Sequence, residues 1–194
     1  MNYLAHAYLS FGIPEITVGN LISDFVKGKQ KFTYPAAIQQ GIVLHRAIDT
    51  FTDTHAITAQ AKSFFREPYR LYSGAIVDVV YDHFLANDPM EFPGDSLLPF
   101  SLDTYTAVQP YSNWLPPKFA RMFPYMMQQN WLNNYRYTWG IQRSFEGLVR
   151  RSAYLSDSET AFTLFLQNYN RLQQYYNQFF PAIKKFVIEY SGAA

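Results

Sequence analysis

Apolar residues recur with a helical period along almost the whole chain, and alternating runs bounded by turn residues are scarce. The pattern predicts an all-α, single-domain helical bundle over residues 1–194. Asn2 suits the cap of a short first helix ending near Gly12 and Pro14, and a second helix is expected over residues 17–26 with Gly28 beyond its end. Pro35 opens a third helix carrying Ile38, Ile42, Leu44, Ile48 and Phe51, and Asp53 or Thr54 caps a fourth over residues 57–65. A long helix over residues 69–86 stops at Asn87-Asp88-Pro89, and residues 87–98 have the composition of a loop. Further helices are expected over 99–109, 116–130 and 133–151. The spacing Ser156-x-x-Glu159 reads as a capping box opening the last long helix, which Pro181 should end or kink before a short final one.

Composition narrows the chemistry. Hydrophobic residues make up 48% of the chain and aromatic residues 19%, so the core is expected to be aromatic-rich and disorder is not expected. The absence of cysteine removes disulfides, thiolate ligands and thiol nucleophiles, which leaves nitrogen and oxygen donors for any metal. The first residues lack a basic leader followed by a long apolar run, and no later segment approaches 18 uncharged apolar residues, so a soluble cytoplasmic protein without membrane insertion is expected. Residues 1–103 hold seven Lys/Arg against eleven Asp/Glu and residues 104–194 hold nine against four, a net −4 followed by +5. That asymmetry suits an anionic substrate or an acidic protein partner.

All four histidines and five of the nine aspartates fall before residue 84. His45 and Asp49 stand at i, i+4 in GIVLHRAIDTFTD, and Asp78 and Asp82 stand at i, i+4 in DVVYDHFLA, so each pair shares one helix face. If the two helices pack, up to four ligands converge, a donor set suited to manganese, magnesium, iron or zinc. Asp24 lies in the apolar run LISDFV, where an unpaired carboxylate is costly, and it is a further candidate ligand. His6, within YLAHAYL, reads more simply as a hydrogen-bonded core histidine. His83 is either an orienting partner or a solvent-facing neighbour of Asp82, and Asp53 is as much a helix cap as a ligand. Arg46 points about a hundred degrees off the ligand stripe, where it can grip a phosphate or pair with a carboxylate. Arg150 and Arg151 either complement a helix dipole or form a fork for a phosphodiester or an acidic partner. Phosphate-loop, dinucleotide, serine-elbow and HExxH patterns are absent.

The segments MNYLAHAYLS, GNLISDFVKG, GIVLHRAIDTFTD, DVVYDHFLA and LVRRS resemble, in order, those of the bacterial acyl carrier protein phosphodiesterase family. The resemblance implies a divergent HD-type, all-helical phosphohydrolase that favours manganese. It implies removal of 4′-phosphopantetheine from holo-acyl carrier protein, with no nucleic-acid partner. It places metal ligands among Asp24, His45, Asp49, Asp78 and Asp82, with His6, Asn20, Arg46 and His83 close by. The chain departs from the HD pattern in having no His-Asp dipeptide, the nearest being the reversed pair Asp82-His83.

The expected mechanism uses the metal cluster to make and aim hydroxide, Arg46 or Arg150 and Arg151 with Asn20 to bind substrate, and His6 or His83 to protonate the leaving serine. The basic residues Arg121, Arg136, Arg143, Lys184 and Lys185 offer a docking face. The same site would also serve an HD-type phosphohydrolase of nucleotides or other small phosphoesters. A non-catalytic helical module binding acidic proteins is the reading from another class, and it predicts no dependence on metal.

Overall fold

The computed structural model describes residues 1–152 and 154–192. Among these residues the secondary structure is entirely helical: α1 (Tyr3–Tyr8), α2 (Pro14–Ile22), α3 (Ala36–Thr54), α4 (Ala56–Tyr69), α5 (Ser73–Ala86), α6 (Leu97–Val108), α7 (Pro117–Gln128), α8 (Trp131–Asn134), α9 (Thr138–Arg151), α10 (Glu159–Gln167) and α11 (Tyr169–Ser191). Short 3₁₀ turns follow α2 at Ser23–Phe25 and precede α3 at Gly28–Thr33. None of these helices is long and apolar enough to cross a membrane.

The core is one aromatic-rich cluster in which Phe65, Tyr81, Phe84, Phe145, Phe165 and Tyr176 are fully buried. Its tightest crossing is α2 on α3. A Cβ on Gly19 would sit 2.1 Å from the Ile38 carbonyl oxygen, and one on Gly41 would sit 2.3 Å from that of Ile16. Only glycine permits this approach, and it brings the backbone of Asn20 against α3.

Several boundaries differ from the sequence expectation for identifiable reasons. The fourth helix is capped by His55, whose Nδ1 accepts from the Ile57 amide at 3.3 Å, while Asp53 pairs with Lys62 at 2.6 Å. The long helix expected from residue 69 begins at Ser73, because Arg70 takes φ 46° and turns the chain between α4 and α5. The region 133–151 is divided into α8 and α9. Near residue 157 the capping carboxylate is that of Asp157, which accepts from the amides of Glu159 and Thr160 at 2.9 and 3.2 Å, so the Ser156 capping box does not form. Pro181 does not end its helix. It lies on the exposed face of α11, where water can serve the carbonyl four residues back, and buried Phe179, Phe180, Ile183 and Val187 hold the helix on either side of it.

Candidate metal centre

The close crossing of α2 and α3 sets the orientation of two imidazoles through one residue. Asn20 is fully buried, and its amide nitrogen donates to the His6 carbonyl at 2.9 Å and the Ser10 hydroxyl at 3.1 Å. Its Oδ1 is therefore the end that faces His6 Nδ1 at 2.7 Å, and its backbone carbonyl faces His45 Nδ1 at 2.7 Å. Both Nδ1 atoms thus act as donors, so each Nε2 carries the lone pair when its ring is neutral. The rings stack with centroids 3.9 Å apart and planes within 13°.

Both Nε2 atoms turn toward Asp49. His6 Nε2 lies 3.2 Å from Asp49 Oδ1, and His45 Nε2 lies 3.0 Å from Asp49 Oδ2 and 3.3 Å from Asp24 Oδ1. One donor atom from each of His6, His45 and Asp49 falls within a sphere of mutual separations no greater than 4.8 Å. Two nitrogen lone pairs directed at a carboxylate repel it unless a cation lies between them or a ring is protonated. Burial lowers the pKa of His6 to about 4, helped by charge on His45 and opposed by Asp49. Burial also opposes a proton on His45, but Asp24 and Asp49 outweigh it and raise that pKa to about 9. Asp49 is held well below the ordinary carboxylate range because the histidines and the Met1 amine overcome its burial. The donor set, together with an Nδ1 anchor on each ring, fits a divalent cation bound by oxygen and nitrogen.

The other candidates distribute themselves unevenly. Arg46 donates to the Val26 carbonyl at 3.1 Å and, with Lys27, lines a concavity of about 400 Å³ over Asp24, His45 and Asp49. Asp78 is one ion pair away: it lies 3.0 Å from the buried α-amino group of Met1, which is also 3.4 Å from Asp49. Burial pushes the Asp78 pKa up, and the amine opposes it.

Asp82 is turned toward α1. It is fully buried and accepts from the amides of Asn2, Leu4 and Ala5 at 3.3, 2.7 and 3.2 Å, anchoring the start of α1. His83 likewise lies apart from the His/Asp cluster, packed in the core. Its Nδ1 faces the Tyr135 carbonyl at 2.7 Å and its Nε2 the Tyr169 hydroxyl at 2.9 Å, among the rings of Phe84 and Phe165. Arg150 and Arg151 end α9 and line a second cleft with Tyr3 rather than the His/Asp cluster.

Of the expected docking residues, Lys184 pairs with Glu91 and Lys185 lies 3.8 Å from Glu189, whereas Arg136 and Arg143 cover the exposed rings of Tyr137 and Trp139. Sequence reasoning missed Met1, Tyr3 and Lys27. Nothing in periodicity marks them, since their place depends on how α1 and the loop after α2 pack.

Comparison with known proteins places the chain. The family model described as acyl carrier protein phosphodiesterase matches residues 1–183. A protein of that name from Photorhabdus laumondii is 33% identical, with 93% of this chain and 92% of the relative aligned. Proteins of the same name from Serratia proteamaculans and Yersinia pestis are 31% and 30% identical, over 93% and 95% of this chain and 94% and 96% of their own lengths. No solved structure matches. The chain belongs to the acyl carrier protein phosphodiesterase family.

Proposed function

We propose that this protein hydrolyses the phosphodiester linking 4′-phosphopantetheine to a serine of holo-acyl carrier protein, and that it uses a divalent cation, manganese by preference. Family membership supports the substrate. The observation that carries the metal dependence is the convergence of His6 Nε2, His45 Nε2 and Asp49 within 4.8 Å, with each ring anchored through Nδ1 to Asn20.

His6, His45 and Asp49 would hold the cation, with Asp24 beside His45 as a further ligand. When bound, such a cation acidifies water and offsets charge on phosphoryl oxygens. Asn20 keeps both imidazoles in the tautomer that presents Nε2. Asp24 is the most exposed acid of the group and faces the concavity through which water and phosphate arrive. Arg46 and Lys27 line that concavity and supply positive charge for the non-bridging oxygens. Asp78, held by the Met1 amine, completes the acidic surroundings of the cluster.

Turnover of holo-acyl carrier protein beside nucleotide diesters and bis(4-nitrophenyl) phosphate tests the substrate. The carrier protein should be preferred in kcat/KM by at least about a hundredfold, because a protein substrate brings binding energy that small esters lack. A preference for a small ester would move the assignment to a small-molecule phosphohydrolase.

A further inference from the structure

The second cleft, about 390 Å³, runs beside α9. We infer that it receives the pantetheine chain of the substrate, the neutral, amide-bearing arm beyond the scissile phosphate. This inference builds on the function proposed above.

Its position relative to the metal centre comes first. Met1 pairs through its amine with Asp49 of the cluster, and Asn2 and Tyr3 line the cleft. Two Cα–Cα steps cover at most about 8 Å, so the wall of the cleft begins within that distance of the Met1 Cα. Tyr3 lines the cleft together with Arg151. A chain attached to a phosphate at the cluster would pass Tyr3 to reach the cleft.

The floor supplies the second argument. Gly140, Ser144, Gly147 and Arg151 fall at i, i+4, i+7 and i+11 on one face of α9. Gly140 has a packing reason, because a Cβ there would lie 2.0 Å from the Asn134 carbonyl oxygen. Gly147 has none: a Cβ there would meet only Arg150 Nη2, at 3.9 Å, and its φ is not positive. A glycine in mid-helix costs about 1 kcal/mol relative to alanine. Here its one evident effect is to leave the floor of the cleft open.

Size and lining choose the occupant. The volume falls in the range of small-molecule sites. Trp131 adds apolar surface for methylene and methyl groups. The amides of Asn2, Gln129 and Asn134 and the hydroxyl of Ser144 match the amide groups of the chain. Trp131 Nε1 donates to Gln129 Oε1 at 3.0 Å and so orients that amide, and Arg143 stacks on Trp139 with its guanidinium carbon 5.3 Å from the ring centroid.

The test uses the metal-loaded protein, its Gly147→Leu variant and two readouts. Pantetheine without its phosphate has no anion for the cluster, so its titration against tryptophan fluorescence reads the cleft alone. Wild type should show a saturable change, and Gly147→Leu should bind about tenfold or more weakly. The ratio of kcat/KM on holo-acyl carrier protein to that on bis(4-nitrophenyl) phosphate should fall by a similar factor, mainly through KM. The thermal midpoint should be equal or higher, as leucine replaces a mid-helix glycine. Equal pantetheine affinity in the two proteins, or no binding to wild type, overturns the inference. So does a weakened grip on apo-acyl carrier protein without any effect of pantetheine, which would make the cleft a protein-docking surface. Failure of wild type to cleave holo-acyl carrier protein while pantetheine still binds would overturn the proposed function and leave the cleft assignment standing.

Discussion

The imidazole of His6 stacks on that of His45 at 3.9 Å, and the two rings, 39 residues apart in sequence, are oriented by the same asparagine. Stacked imidazoles that both charged would repel; burial, helped by charge on His45, lowers the His6 pKa, whereas Asp24 and Asp49 raise that of His45. A cation between their Nε2 atoms and Asp49 would let both rings be neutral together.

Asn20 is therefore the residue through which the site can be loosened without touching a ligand. Asn20→Ala removes the acceptor for His6 Nδ1 and the donor to the His6 carbonyl and Ser10. Manganese affinity measured calorimetrically should fall about 10–100-fold. Stability should fall by about 1–3 kcal/mol through the unsatisfied buried groups. Unchanged manganese affinity would remove Asn20 from the metal centre.

Asp49 and Asp82 should separate cleanly. Asp49→Asn leaves a folded protein that no longer binds manganese, since the carboxylate faced by both Nε2 atoms is gone. Asp82→Asn weakens the acceptor of three buried amides and should cost about 1–3 kcal/mol in denaturant melts while manganese still binds. Loss of metal from a well-folded Asp82→Asn protein would restore Asp82 as a ligand.

His83 should behave as a core residue. Burial lowers its pKa against the pull of the Tyr135 carbonyl, so the folded state holds it neutral. The unfolded chain takes up a proton near pH 6.5, and the folded state resists that proton, so stability is lost as pH falls below about 6.5 and is complete above it. Between pH 7.5 and 5.5 the wild type should lose more stability in urea than His83→Gln does. The variant should turn over substrate at close to the wild-type kcat, and a collapsed kcat in a folded variant would return His83 to catalysis.

What the sequence made legible was what a single helix decides. His45 and Asp49 share a face of α3 at i, i+4, and they meet in space as that spacing requires. Asp24 stood out as a carboxylate in an apolar run, and the structure sets it against His45. Asp78 and Asp82 also share a face of α5, but periodicity does not say what packs on it. The start of α1 lies there and takes both carboxylates for its amine and amides. His6 read as a hydrogen-bonded core histidine, and it is buried and bonded to Asn20, yet its other nitrogen enters the cluster. His83 lies one residue from Asp82, about 100° around the helix, and so faces a different part of the core. Gly19 and Gly41 carry no signal in isolation. Their meaning lies in the crossing of α2 on α3, which brings Asn20 to His45.

The most direct measurement is the intact mass of holo-acyl carrier protein after incubation with this protein and manganese, against a parallel sample with chelator. One phosphopantetheine should be lost in the manganese sample alone. An unchanged mass with the protein folded and metal-loaded, or equal loss with chelator present, would contradict the proposed function.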